Sequence, residues 1–196
     1  MESIQAEKSK LRTMMLLERR KLSPAAIVAE SALIAQKLLA CQPYAAAGVV
    51  LAFAAMPDEP QTELIMQDVL QQGKKLCLPR IDGPYGSMAA AEVNSLAELV
   101  EGKYGILAPP PEKAVIDPGC IELIIVPGVA FTLTGQRLGM GAGFYDRFLA
   151  QSGQAVRIGL ALQCQIAASI PCEDHDYLVD HLATHAGIIN CQTGKM

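Results

Sequence analysis

The sequence has no tryptophan, and Phe and Tyr bring the aromatic share to only 5% of its 196 residues. Platforms that stack successive bases depend on aromatic rings, so single-stranded nucleic acid is a poor fit. Basic residues are not in excess either. The chain has 16 Lys and Arg against 20 Asp and Glu, a formal charge of -4. A general nucleic-acid binder carries a basic surface, so that class is disfavoured too. Charged residues are scarce at 18%, against 51% apolar, and such a chain is too apolar to stay disordered.

A long hydrophobic run is also missing. The longest apolar stretch is AAAGVVLAFAAM at 45–56, well short of the roughly 20 residues of a spanning helix. Pro43 precedes it and Asp58 and Glu59 follow it, so it reads as a buried strand. The N-terminal segment lacks the apolar core and cleavage site of a signal peptide. Glu2, Glu7 and Glu18 also deprive it of the acid-poor character of a transit peptide. A cytoplasmic location is expected. There are six cysteines but no C-x-x-C pair, and the expectation is reduced, mostly buried thiols. Cys172 and His175 are spaced C-x-x-H, without the second pair that a zinc site needs. His181 and His185 lie four apart, but nothing else supports a metal there. No repeat, long linker or low-complexity block breaks the chain. One domain over residues 1–196 is expected, with a monomer as the default.

The elements that are present alternate in type. Residues 2–21 read as a helix with a rough apolar stripe, and Ser23-Pro24 opens a second helix as N-cap and first position. A strand is expected at 49–54, then a helix capped by Thr62 that stops at Gly73, then a strand at 75–80. Ser95 heads a short helix, and 108–111 is a rigid Pro-rich connector. A strand at 122–127, a loop at 128–137, a helix from Gly143, and late strands at 157–162 and 184–190 complete the pattern. Short apolar strands alternating with helices predict a single-domain, Rossmann-like three-layer α/β/α fold with a mostly parallel central sheet. Ligands in such folds bind beyond the carboxyl ends of the strands, here just after Ala54, Pro79 and Pro127.

The most informative segment is Arg137-Leu138-Gly139-Met140-Gly141-Ala142-Gly143-Phe144-Tyr145-Asp146-Arg147. Alternating glycines let the backbone turn and approach a ligand. A helix start adds unpaired N–H groups and the positive dipole end, which together favour an anion such as phosphate. The run lacks the G-K-[ST] ending of a Walker A loop and the G-x-G-x-x-G spacing of the Rossmann fingerprint. A plain flexible turn is the alternative. Asp146 either complements the helix dipole or holds Mg²⁺ beside bound phosphates. Lys8 and Arg12 share a helix face, with Lys10 nearby, in the most concentrated basic patch of the chain. Glu59 directly follows the apolar strand, where it could bind a polar ligand group.

These residues converge on a family. The R-L-G-x-G-x-G-[FY]-Y-D-R run after V-P-G-V-A-F resembles 5-formyltetrahydrofolate cyclo-ligase, also called methenyltetrahydrofolate synthetase. Further pieces match in order: Lys8 to Arg12, Met56 to Thr62, Gly73-Lys74 with Leu78-Pro79-Arg80, and Gln165 to Asp176. The resemblance spans about residue 6 to 190. It implies an enzyme that uses ATP and Mg²⁺ to convert 5-formyltetrahydrofolate to 5,10-methenyltetrahydrofolate, releasing ADP and phosphate. It also implies residue roles. Lys8, Ser9, Lys10, Leu11 and Arg12, with the run from Arg137 to Tyr145, would bind ATP. Phe53, Ala54 and Glu59, with Met140 to Phe144, would bind the folate. Arg137 and Tyr145 would act in catalysis, and Asp146 and Asp176 would be magnesium ligands.

Three positions depart from the family pattern: Thr132 where Asp is frequent, Ala142 where Lys is frequent, and Phe144 as the first aromatic. Arg147 is a candidate to supply the cation missing at Ala142. Two other classes remain open. One is a non-catalytic nucleotide- or anion-binding module of the same fold. The other is a sugar-phosphate isomerase, which would work without ATP.

Overall fold

A computed structural model describes residues 3–82, 87–173 and 175–191. Helices α1 (Ile4–Arg19) and α2 (Pro24–Leu39) and the short α3 (Gln42–Ala46) lead into strand β1 (Val49–Leu51). Helix α4 (Glu63–Gln71) follows, then β2 (Lys75–Asp82) and β3 (Ser87–Val93). Short strands β4 (Val100–Glu101), β5 (Leu107–Ala108) and β6 (Val115–Ile116) precede β7 (Leu123–Val126). The chain ends through β8 (Ala130–Phe131), β9 (Arg137–Leu138), α5 (Phe144–Leu149), β10 (Val156–Leu160), β11 (His181–Thr184) and β12 (Gly187–Asn190).

Among the described residues, eight strands form the main sheet in the order β12-β11-β10-β7-β1-β2-β3-β6. The five central strands are parallel, and β12, β3 and β6 add antiparallel edges. The expected α/β class with a mostly parallel sheet is therefore present. Its physical basis is legible in β7, all four of whose residues are buried. Leu123 and Ile125 face a core with α2, α3 and α4, while Ile124 and Val126 face a second core with Phe148 and Leu149 of α5. A strand covered on both faces has no polar alternation to display. A third cluster seats Met15 of α1 on Val129, Ala130 and Leu138 of the β8–β9 hairpin.

Several boundaries differ from the sequence reading. The apolar stretch at 45–56 pairs only over Val49–Leu51, and Phe53 and Ala54 run on past the strand end into the site. The expected loop at 128–137 contains one strand of a tight antiparallel pair, Ala130↔Leu138 and Phe131↔Arg137. The expected strand at 184–190 is a hairpin whose strands pair from His181↔Asn190 to Thr184↔Gly187. Strand β3 has no strand signal in the sequence, because SMAAAEV has little β-branched or aromatic character. The caps fare better. The Ser23 and Ser95 hydroxyls accept from Ala26 N–H and Ala97 N–H, each at 3.2 Å. Thr62 stands at the start of α4 but does not cap it; its hydroxyl donates to the Phe53 carbonyl instead. The cysteines are free thiols, as expected, but only Cys77 and Cys191 are buried, while Cys120 and Cys172 are exposed. No single helix among the described residues is long and apolar enough to cross a membrane.

Candidate active site

A cavity of about 970 Å³ opens at the carboxyl ends of the parallel strands. Ala54 after β1 and Pro127 after β7 line it, with Pro79 inside β2. Strands β1 and β7 are neighbours from which the chain winds in opposite directions. Crevices at such a switch point are where open α/β sheets bind ligands.

One wall is cationic. Lys8 and Arg12 lie on one face of α1 and both line the cavity. Arg12 Nε donates to the Gly139 carbonyl at 2.8 Å, which fastens the helix to the glycine segment. That segment turns through two left-handed residues, Gly141 (φ 99°) and Gly143 (φ 68°), a conformation glycine adopts without steric cost. A Cβ at Gly141 would also lie 3.4 Å from the Arg12 guanidinium. Arg137 enters from β9. Its Nη2 donates to Asp146 Oδ1 at 2.7 Å and its Nη1 to the Pro127 carbonyl at 3.3 Å, while its Nε is buried without a partner. The Arg137 guanidinium lies over the Tyr145 ring at 5.7 Å. The Tyr145 hydroxyl is itself buried and unpaired, and burial pushes its ionisation well above the ordinary range. Arg137 and Tyr145 both line the cavity and each keeps one buried polar atom without a partner, groups that a shift on ligand binding could satisfy.

The acidic side is arranged in pairs. Lys8 Nζ sits 2.6 Å from Asp176 Oδ2 and 2.9 Å from Glu173 Oε2. Burial alone would raise the Asp176 carboxyl, but Lys8 and the Glu173 N–H outweigh it and hold it below the usual carboxylate range. The same acids outweigh the effect of burial on Lys8 and raise its ammonium. Asp146 and Asp176 both line the cavity, and the Tyr177 N–H donates to Asp146 Oδ1 at 3.5 Å, which ties the segment after Asp176 to the start of α5. Among the described residues, no group of three or more His, Cys, Asp or Glu is arranged to hold a metal. Asp174, which the sequence sets beside His175, lies outside those residues.

The third wall carries Glu59, with Phe53, Ala54 and Met56. The loop is held from outside: Thr62 bonds to the Phe53 carbonyl, and the Gln61 side-chain amide donates to the carbonyls of Met56 and Glu59 at 3.0 and 2.7 Å. Glu59 is 8% exposed. Burial pushes its carboxyl up, and the Met56 N–H and Arg19 act against that.

The structure thus gathers Lys8, Arg12, Phe53, Ala54, Glu59, Asp176 and the whole run from Arg137 to Asp146 around one cavity. Ser9, Lys10 and Leu11 do not line it. Ser9 and Lys10 are exposed, and Leu11 packs against the hairpin core. A helix turns by about 100° per residue, so a contiguous K-x-K-x-R run cannot point one way. Thr132 is absorbed in the hairpin turn, where its hydroxyl meets Thr134 at 2.9 Å and accepts from the Gln136 N–H at 3.1 Å. Arg147 lines the cavity and donates to the Ala142 carbonyl at 2.9 Å, so a cation does stand beside the position where the family lysine is missing. Two supporting residues have no role assigned from sequence, although Gln165 stands in a segment that matches the family. Gln165, fully buried, donates to the Gly128 carbonyl at 2.7 Å, and Arg19 is buried behind Glu59. A buried Arg inside a helical charge run gives no local signal.

The fold and the cavity define an α/β protein whose topological switch point opens into a cavity lined by both cationic and acidic side chains. Comparison with known proteins makes the class specific. A model of the 5-formyltetrahydrofolate cyclo-ligase family matches residues 4–185. The chain is 30% identical over 191 residues to the 5-formyltetrahydrofolate cyclo-ligase of Mus musculus, covering 92% of this chain and 94% of that one. It is 30% identical over 163 residues to the Escherichia coli K12 protein of the same name, covering 81% and 89%. The solved 5,10-methenyltetrahydrofolate synthetase of Aquifex aeolicus superimposes with a TM-score of 0.85 at 30% identity, over 96% of this chain and 95% of that one. The chain belongs to the 5-formyltetrahydrofolate cyclo-ligase family, and it is an enzyme of that class.

Proposed function

We propose that the protein converts 5-formyltetrahydrofolate to 5,10-methenyltetrahydrofolate with ATP as phosphate donor and Mg²⁺ as cofactor. The observation that carries this reading is the convergence of Arg12, Arg137 and the glycine run with Glu59 on one cavity. A phosphate site alone would not need a buried carboxylate in the same cavity. Folate and triphosphate must meet in one reaction, and the cavity offers a cationic wall for one and an acid with an apolar wall for the other.

The chemistry follows from what the residues can do. A formyl oxygen is a poor leaving group. Transfer of the terminal phosphoryl group of ATP to that oxygen releases ADP and makes the carbon electrophilic. N10 then attacks the carbon, phosphate departs with the oxygen, and N10 gives up its proton as the ring closes. Phosphoryl transfer asks for positioning and charge neutralisation rather than a covalent nucleophile. Arg12 and Arg137 neutralise phosphate charge, the positive-φ glycines let the backbone approach it, and the Tyr145 hydroxyl donates to a ligand oxygen. Glu59 accepts N–H groups of the pterin, and Phe53 packs on its ring. Arg147, held on Ala142, supplies the cation that the glycine run itself lacks. Lys8 draws on the same phosphates when it parts from Asp176.

Mg²⁺ suits the donors. Asp146 and Asp176 are hard carboxylate ligands from adjoining segments, and this ion is typically held by one or two carboxylates plus phosphate oxygens and water. Bound there, it would offset phosphate charge. In the described structure Asp146 is paired with Arg137 and Asp176 with Lys8. The carboxylates become available when phosphates engage those cations.

ADP release measured with each ligand alone and with both tests the reading. ADP should appear only with both present, one ADP per methenyl group formed. Tight ATP binding without turnover would instead indicate the non-catalytic module, and turnover without ATP an isomerase. A cytoplasmic location and action as a monomer belong to the same proposal.

A further inference from the structure

The buried stripe of α1 is unusual in its chemistry. Its buried residues are Lys8, Met15 and Arg19, where an amphipathic helix normally sets apolar side chains. Lys8 reaches the cavity, but Arg19, at 1% exposure, does not line it. Its guanidinium is anchored on Asp58, with Nε at 3.1 Å and Nη2 at 2.9 Å from the same oxygen. That anchoring leaves Nη1 directed at Glu59 Oε1, 3.7 Å away, with no hydrogen-bond partner of its own. The other Glu59 oxygen accepts from the Met56 N–H at 3.0 Å. Glu59 is therefore held from two sides in the cavity wall.

We propose that Arg19 is a positioning residue for the folate subsite: anchored by Asp58, it places its counter-charge behind the Glu59 carboxylate and orients that carboxylate toward the cavity. The proposal rests on the reading of Glu59 as the pterin ligand. A buried carboxylate without a counter-charge takes up a proton, and a protonated acid can no longer accept on both oxygens. The groups facing Glu59 are Arg19 from α1, Asp58 and the Met56 N–H from its own loop, and Tyr145 from α5. Only Arg19 among these is a cation. Arg19 cannot contribute by contact with the ligand, so its effect on folate must pass through Glu59.

The test is a double-mutant cycle on the full chain, with Arg19→Gln, Arg19→Lys, Glu59→Gln and Arg19→Gln/Glu59→Gln. Folding is verified by thermal melts, and KM is measured separately for 5-formyltetrahydrofolate and for ATP. Arg19→Gln should raise the folate KM about tenfold while the ATP KM stays within about twofold. The folate defect should be largest near pH 6 and shrink toward pH 8.5, because alkali restores the carboxylate. Arg19→Lys, which keeps a buried cation and serves if the Gln variant does not fold, should recover part of the loss. In the Glu59→Gln background, Arg19→Gln should add less than about twofold. Additive effects in the cycle, equal losses in both KM values, or a pH-independent defect would overturn the role of Arg19. If Glu59→Gln alone leaves the folate KM unchanged, the pterin-ligand reading itself fails. If it raises that KM while Arg19→Gln does not, only the present inference fails.

Discussion

At Arg137, Tyr145 and Asp176 the site holds polar groups that are either unpaired, as is the Tyr145 hydroxyl, or paired with a charge, Arg137 with Asp146 and Asp176 with Lys8. The buried Tyr145 hydroxyl has no partner to lose in the free protein. Tyr145→Phe should therefore leave the melting temperature unchanged or slightly raised. If the hydroxyl serves a ligand, kcat/KM should drop about tenfold in steady-state assays. Arg137→Ala removes a cation from the proposed phosphate site and leaves Asp146 without its pair. The ATP KM should rise by about tenfold or more, with the folate KM far less affected. The Asp176 carboxyl, held below its ordinary value of 3.8, stabilises the fold above that pH and loses its contribution as the pH falls through the lowered value. Asp176→Asn removes this component. Denaturation followed from about pH 5 down to pH 2 should show a shallower acid limb in the variant.

The elements show how local chemistry aims these residues. Thr62 reads from sequence as an ordinary N-cap, yet its hydroxyl fixes the carbonyl of Phe53 nine residues back. Thr62→Val leaves that buried carbonyl short of a donor. It should cost about 1–3 kcal/mol in denaturant unfolding, with a raised folate KM because Phe53 and Glu59 share the loop. Gly141→Ala forces a side chain into left-handed backbone against the Arg12 guanidinium. About 1–2 kcal/mol of strain is expected, and the ATP KM should rise with little change for folate. Much of this was legible in sequence. The glycine run, the acid after β1 and the serine caps carry local signals in residue type and spacing. What escaped reading is what tertiary structure decides. Strand β3 is Ala-rich and strands by pairing with β2. Lys10 follows Lys8 in sequence but points elsewhere because helical geometry separates them. Arg19 and Gln165 matter through partners distant along the chain; the family pattern marks Gln165, but no local pattern records what either side chain touches.

For the whole molecule, a net charge of -4 and few aromatics described a bland protein, yet the proposed ligands are both anions. The structure concentrates cations in one cavity and pairs Lys8 with Asp176 and Arg137 with Asp146, pairs that the proposed phosphates would compete for. This pairing makes a further prediction. Mg²⁺ alone at about 5 mM should shift the melting temperature by less than about 1 °C, whereas Mg²⁺ with ATP should raise it by several degrees, since binding to the native state stabilises by mass action. A large shift with Mg²⁺ alone would mean that the carboxylates are open without nucleotide.

The central claim is that one cavity joins ATP to a reduced folate. The most direct measurement is the absorbance of the methenyl product formed from 5-formyltetrahydrofolate, recorded with and without ATP at fixed Mg²⁺. The account predicts steady growth of the methenyl band only when ATP is present. Growth without ATP, or none with folded protein at saturating ATP, would contradict it.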